Sequence, residues 1–292
     1  MSICNICPRN CNVDRTSQMG FCSVGDSIRV SKAMLHHWEE PCISGENGSG
    51  AIFFSGCNLR CCYCQNYKIS TQTFGKDITI EHLANIMISL QEQGANNINL
   101  VTPTHYTDKI IQTLDICKHK INIPIVYNCG GYEKLDTLKK LRNYVDIYLT
   151  DFKYYSSEMS KMYSKCEDYF KVTSKAILEM YHQQNELVYK DNILQKGLII
   201  RHLVLPTGRH DSISILEWLS NNLDVSKFLL SLMSQYTPNE NCKNYPKIDR
   251  RTSTFEYNSV LDKAIELNFK GYMQDRRSAK SEYTPNFNLD GI

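Results

Sequence analysis

The stretch Ala51-Ile-Phe-Phe-Ser-Gly56-Cys57-Asn-Leu-Arg-Cys61-Cys-Tyr-Cys64 decides the fold, because it runs from a buried strand straight into a cysteine loop. Residues 51 to 55 are apolar on both faces, as expected of a parallel strand covered on both sides by helices. Cys57, Cys61 and Cys64 then follow in a C-x3-C-x2-C spacing. Three thiolates on one short loop can ligate three irons of a cubane and leave the fourth iron open for chemistry. A zinc site short of its fourth ligand is the competing reading. The preceding strand and the aromatic Tyr63 before the last cysteine weigh against it.

Downstream, short β-branched and aromatic runs alternate with segments of helical period. Strands are expected at 97–102, 123–128, 146–150, 198–205 and 227–233 besides 51–55. Between the first two, Leu83, Ile86, Met87 and Leu90 recur at i, i+3, i+4 and i+7, and Gly94 stops the helix. Further helices are expected at 109–118, 134–142, 174–182 and 212–221. Six strands joined by right-handed crossovers predict an α/β fold with an open or partly closed barrel, whose ligands gather at the carboxyl ends of the strands. Those ends carry Thr102-Pro-Thr104-His105, Asn128-Cys129-Gly130-Gly131 and Asp151-Phe152-Lys153, while Arg201 lies inside an otherwise aliphatic strand.

The 292 residues hold 33 Lys plus Arg against 31 Asp plus Glu, a formal charge of +2. That balance gives nucleic acid little to bind. No run approaches the length of a membrane span, and Met1 to Asn5 lack the basic and apolar regions of a secretory signal, so a cytoplasmic location is expected. Thirteen cysteines in such a chain point to metal or redox chemistry rather than disulfides. Cys4, Cys7, Cys11 and Cys22 supply four thiolates within the first 22 residues, enough for a structural zinc or an auxiliary iron–sulfur cluster. Residues 1–50 are read as a Cys-rich metal-binding appendage and linker, 51–238 as the barrel, and 239–292 as a C-terminal extension capping it. His37-Trp-Glu-Glu40 reads as a polar junction on the barrel rim.

The C-x3-C-x2-C loop resembles the signature of the radical S-adenosylmethionine (radical SAM) superfamily. Further blocks resemble the branch similar to pyruvate formate-lyase-activating enzyme: Cys4-Asn-Ile-Cys7-Pro-Arg-Asn-Cys11, Glu39-Glu-Pro-Cys-Ile-Ser-Gly45, Cys64-Gln-Asn66, residues 97–105, 146–153 and 201–206, and Met233-Ser-Gln-Tyr236. The resemblance implies a partial (β/α)6 barrel of radical SAM type. It also implies a [4Fe-4S] cluster on Cys57, Cys61 and Cys64 whose open iron chelates S-adenosylmethionine, with Cys62 a bystander. Tyr63 would lie beside the adenine. Asp151, Lys153 and Arg201 would hold the charged cofactor, a solvated strand-end ion pair being the alternative for the first two. The superfamily's Gly-Gly-Glu element is missing after the second strand, so Thr102, Thr104 or His105 would replace that contact, with Asn128 nearby.

The implied activity is reductive cleavage of S-adenosylmethionine to a 5′-deoxyadenosyl radical, then hydrogen abstraction from a substrate. A flavodoxin- or ferredoxin-type reductant would supply the electron, under anaerobic conditions. The substrate would be a glycyl radical enzyme or other protein, or else a small molecule or peptide. A barrel wide open at its side would suit a polypeptide; a pocket capped by Tyr272, Gln274 and Tyr283-Thr-Pro-Asn286 would suit a small molecule. A non-catalytic iron–sulfur electron carrier is the reading from another class, and it leaves the barrel unexplained.

Overall fold

The computed structural model describes residues 3–274 and 285–292. Among them are ten strands: β1 (Ile28–His36), β2 (Ser49–Phe54), β3 (Lys76–Ile78), β4 (Ile98–Val101), β5 (Ile125–Cys129), β6 (Ile147–Asp151), β7 (Val188–Lys190), β8 (Ile193–Leu203), β9 (Leu229–Met233) and β10 (Gly271–Met273). They form one sheet in the order β10-β9-β8-β6-β5-β4-β2-β1-β3, with β7 paired to β8. The six strands expected from the apolar runs, β2, β4, β5, β6, β8 and β9, lie parallel and adjacent. The sheet does not close. β10 extends it in parallel beyond β9, and β1 and β3 extend it antiparallel beyond β2.

Each crossover is helical for the reason its sequence suggests. In Ile80–Glu92 the Thr79 hydroxyl accepts from His82 N at 3.1 Å, and Leu83, Ala84, Ile86, Met87 and Leu90 are all buried. Thr107–Cys117, Leu135–Leu141, the pair Ser157–Ser164 and Tyr169–Gln183, and Arg209–Asn222 complete the outer layer. No helix of the described residues is long and apolar enough to cross a membrane.

Residues 28–36, which the sequence reading places in the appendage and linker, form a strand of the main sheet instead. Its polar residues disguise it: Arg29 pairs with Asp77 on β3, and the buried Lys32 reaches the carbonyl of Asn286 and the side chains of Asn288 and Asp290. The C-terminal segment also hydrogen-bonds to the β1 backbone, through Ala33 N to Asp290 O and Leu289 N to Ser31 O. Phe287 is buried against Phe53 of β2, with ring centroids 5.5 Å apart. Residues 3–27 contain only an isolated bridge between Ile3 and Asp14, and docking holds them to the barrel. Arg9 donates to Asn58 O at 2.8 Å, Lys134 to Asn5 O at 3.0 Å and Thr137 to Ile6 O at 2.6 Å.

Candidate active site

One cavity of about 320 Å³ opens into the barrel. Its lining includes Cys57, Cys61, Tyr63 and Cys64 from the loop after β2, Thr102 after β4, Asn128 on β5, Asp151 and Lys153 at the end of β6, and Arg201 on β8. The cysteine loop is held by specific bonds. Leu59 N donates to Cys57 Sγ at 3.3 Å, Ser164 Oγ to Cys61 Sγ at 2.9 Å, and Ser70 Oγ to Cys64 Sγ at 3.3 Å. The Ser164 hydroxyl continues a chain to Tyr154 (2.6 Å) and Tyr63 (2.7 Å). Tyr63 thus has its hydroxyl tied off, and its ring lies edge-on to Tyr236 at 5.9 Å. Cys62 donates its backbone N–H to Tyr163 O, and its thiol packs toward Cys242, outside the cavity lining.

The donor chemistry suits an iron–sulfur cluster. All thirteen cysteines are free, and burial pushes the Cys57 thiol up to about 12 and raises that of Cys64. Such thiols become thiolates when a cationic metal group compensates the lost solvation. The residues present therefore fit a cluster, although no group of three or more His, Cys, Asp or Glu side chains among the described residues is placed to hold a metal ion.

Beside the thiols lies a ladder of charge. Lys153 Nζ donates to Asp151 Oδ2 at 2.5 Å, and Arg201 Nε to Asp151 Oδ1 at 2.9 Å. Arg201 Nη2 reaches Asn128 Oδ1 at 2.6 Å, and Nη1 reaches Glu39 Oε2 at 3.3 Å. Asp151 and Arg201 face each other in register across β6 and β8. Burial raises the Asp151 carboxyl, but Lys153 and Arg201 outweigh that and hold it below the usual carboxylate range. Burial opposes the Lys153 charge in the same way, and Asp151 restores it.

The sequence reading missed Glu39 and Glu40. The supposed rim junction delivers two acids to the cavity wall, with Glu40 only 8% exposed. Pro41–Ser44 forms a short turn of helix, and Asn97 on the adjoining strand edge donates to Ile43 O, drawing the preceding acids inward. Glu39 Oε1 accepts from Asn99 at 3.1 Å and Asn128 at 3.4 Å. Burial raises both carboxyls, partly offset by Arg201. The available signal was Arg201, whose five N–H donors in an aliphatic strand call for more acceptors than Asp151 alone presents.

Thr104 and His105 require correction, since neither lines the cavity. The left-handed backbone of Thr102 (φ 61°) turns the chain away at the end of β4, into the 3-10 turn Thr104–Tyr106. Thr104 Oγ1 donates to Glu133 Oε1 at 2.6 Å, and His105 Nε2 meets Ser55 O at 2.8 Å. Burial drops the His105 imidazole down to about 3, so it is neutral. Thr102 remains in the lining.

Glu133 also accepts from Tyr127 OH at 3.2 Å, and burial raises its carboxyl up to about 7. An acid raised by folding is protonated in the native state while ionised in the unfolded chain, so stability falls as pH climbs from the ordinary glutamate range to about 7. Glu133→Gln should flatten that slope; thermal melts between pH 5 and 8 that keep the wild-type slope would contradict this.

The N-terminal cysteines form a second group. A side-chain carbon at Gly20 would sit 3.4 Å from Cys11 Sγ and 3.7 Å from Cys22 Sγ, so both sulfurs flank that glycine. Phe21 N donates to Cys11 Sγ at 3.2 Å. Burial pushes Cys7 up to about 12, with Cys22 and Cys11 adding to the rise, and Cys22 in turn feels Cys4. Arg9 stacks on Phe21 at 3.8 Å while Arg60 of the cluster loop donates to Phe21 O, so this group abuts the first.

Comparisons with known proteins bear on the fold and the family. Over 274 residues the chain is 34% identical to the uncharacterized protein MJ0674 of Methanocaldococcus jannaschii, covering 90% of this chain and 73% of that protein. In fold it is similar to methylornithine synthase (PylB), with a TM-score of 0.50 at 17% identity over 74% of this chain and 63% of that one. It is likewise similar to Streptococcus suis SuiB bound to S-adenosylmethionine, with a TM-score of 0.50 at 14% identity over 75% of this chain. The chain thus spans under two thirds of the first structure's length and 48% of the second's. Residues 51–184 match the radical SAM superfamily, whose members carry a [4Fe-4S] cluster and use S-adenosylmethionine, and the chain belongs to that superfamily.

Proposed function

We propose that Cys57, Cys61 and Cys64 hold the [4Fe-4S] cluster, that S-adenosylmethionine lies across the cavity between this loop and Asp151, Lys153 and Arg201, and that the enzyme abstracts hydrogen from a small molecule or a single side chain. The observation that carries this is the meeting of three free thiols from one loop with that buried charged group on one cavity wall. When bound, the cluster and cofactor supply a 5′-deoxyadenosyl radical by reductive cleavage. The chain's own part is to orient and to exclude water. Lys153 and Arg201 present cations to a carboxylate, Asp151 fixes both, and Tyr63 offers a ring whose hydroxyl is already satisfied.

A small substrate is favoured over a protein glycine by what lies along the open side of the barrel. Tyr272, Gln274 and Pro285 line the cavity, and Phe287 is wedged against Phe53. Tyr283 and Thr284, expected to join this cap, lie outside the described residues. A flavodoxin- or ferredoxin-type protein is proposed as reductant, and residues 1–50, 51–238 and 239–292 as appendage, barrel and cap, with β1 lending the appendage to the sheet.

Anaerobic reconstitution with iron and sulfide, followed by assay for 5′-deoxyadenosine with S-adenosylmethionine and dithionite, tests the reading. Cleavage by the loaded protein supports it; a loaded protein whose EPR spectrum ignores S-adenosylmethionine and which forms no 5′-deoxyadenosine would favour an electron carrier. We further propose a second metal centre on Cys4, Cys7, Cys11 and Cys22. Replacing all four by alanine is expected to lower bound zinc or iron by one site's worth in elemental analysis, while 5′-deoxyadenosine formation persists if the centre is structural. Unchanged metal content would refute that centre.

A further inference from the structure

We infer that Glu40 is a recognition residue for an aliphatic ammonium group carried by the substrate, bound in the same cavity at the end of the charge ladder remote from the cysteines. The inference rests on the radical SAM reading of the cavity, which it extends to the substrate's chemistry.

Glu40 faces the cavity, is more than nine-tenths buried, and its Oε2 has no hydrogen-bond partner among the described residues. Every other charged group beside it is engaged. Arg201 spends Nε on Asp151, Nη1 on Glu39 and Nη2 on Asn128. Lys153 is bound to Asp151. Asp151, Glu39 and Glu40 set three carboxyls against the two cations Arg201 and Lys153, so the wall is balanced by one further positive charge, either a proton on a carboxyl that burial raises or a bound cation. A buried carboxylate oxygen without a donor costs free energy, which a bound cation recovers. Among the described residues no Lys or Arg other than these two lines the cavity, so none of those residues supplies that charge.

Position separates this ligand from the cofactor. Lys153 and Asp151 pair at the end of β6, Arg201 on β8 faces Asp151 and pairs with it and with Glu39, and Ser231 on β9 faces Arg201 on the side away from β6. Glu40 therefore stands at the opposite end of the ladder from the thiols, beside Ser231 of β9. An amino acid group chelating an iron belongs at the cysteine end, leaving Glu40 for the ammonium of a second molecule. Ser231 aligns with Tyr272 across β9 and β10, and Trp38 and Tyr272 line the wall next to Glu40, suiting the methylene stem of an amine.

The probe is n-butylamine, with 1-pentanol as an uncharged ligand of similar shape, titrated calorimetrically into anaerobically reconstituted protein containing S-adenosylmethionine. Wild type should bind the amine in preference to the alcohol. Glu40→Gln should bind the amine about tenfold more weakly or worse, with Glu40→Asp recovering part of the loss. S-adenosylmethionine affinity should change less than about twofold, because Glu40 is assigned to another ligand. Equal binding of amine and alcohol by wild type overturns the inference even if Glu40→Gln fails to fold. An amine affinity unchanged by Glu40→Gln overturns it as well. If instead S-adenosylmethionine affinity falls about tenfold in the variant, the ammonium is the cofactor's own and the substrate assignment is wrong. Amine binding is read without turnover, so a protein that binds amine through Glu40 but forms no 5′-deoxyadenosine would sink the radical reading alone.

Discussion

Cys57→Ala, Cys61→Ala or Cys64→Ala, each alone, is expected to cut 5′-deoxyadenosine formation to the level of a protein-free control. The expected loss exceeds about a hundredfold, because outer-shell changes around a metal already cost about ten- to a hundredfold and these residues are the proposed ligands themselves. Each thiol contributes from a different point of the loop and receives its own hydrogen bond, from Leu59 N, Ser164 Oγ or Ser70 Oγ, so no neighbour stands ready to replace it. Cys62→Ser makes the control. Cys62 does not line the cavity that Cys57, Cys61 and Cys64 line, so cleavage should stay within about twofold of wild type. The measurement is 5′-deoxyadenosine per bound cluster after identical anaerobic loading. Activity in any one alanine variant, or loss in Cys62→Ser matching theirs, would move the cluster to a different set of cysteines.

Arg201→Met should unfold the protein at markedly lower temperature as well as disable it. The guanidinium lies between Asp151 and Glu39 with about a sixth of its side chain exposed, and the substitution leaves Glu39 and Glu40 buried with no cation beside them. Breaking a buried pair from one side costs about 3 to 5 kcal/mol. At about 2 to 4 °C per kcal/mol for a large domain, the melting midpoint should drop by about 10 °C. The sign of the pH dependence follows. Without Arg201 the Glu39 and Glu40 carboxyls rise further above their unfolded values, so the deficit is largest near neutral pH and shrinks as acid protonates them. Arg201→Lys keeps a charge but loses the fork that reaches Asp151, Glu39 and Asn128 together, and should lie between the two. Calorimetric melts at pH 5 and pH 8 decide the matter; an Arg201→Met protein with wild-type stability at pH 8 would show that the ion group adds nothing to the fold.

The barrel strands were legible because a strand buried on both faces must be apolar throughout, and Ile147–Asp151 or Leu229–Met233 admit few other readings. β1 was not, since Arg29 and Lys32 have partners on β3 and on the C-terminal segment that only the folded chain supplies. The cysteine spacing is local chemistry and survives in one dimension. Glu39 and Glu40 do not, because a charged pair beside Trp38 reads as surface until Arg201, some 160 positions later, is brought against it. His105 shows the converse: a strand-end imidazole reads as a ligand group, yet one positive-φ residue at Thr102 turns it toward Ser55.

The charge ladder also bears on how such a protein can change its specificity over generations. Positions 39, 151, 153 and 201 share four formal charges joined by ion pairs in one wall, so a single exchange at any of them strands a partner, whereas Glu40 Oε2 has no hydrogen-bond partner among the described residues. A descendant that takes a neutral ligand must therefore alter position 40 first, where the carboxylate has least to lose. The other four would be inherited together or replaced together.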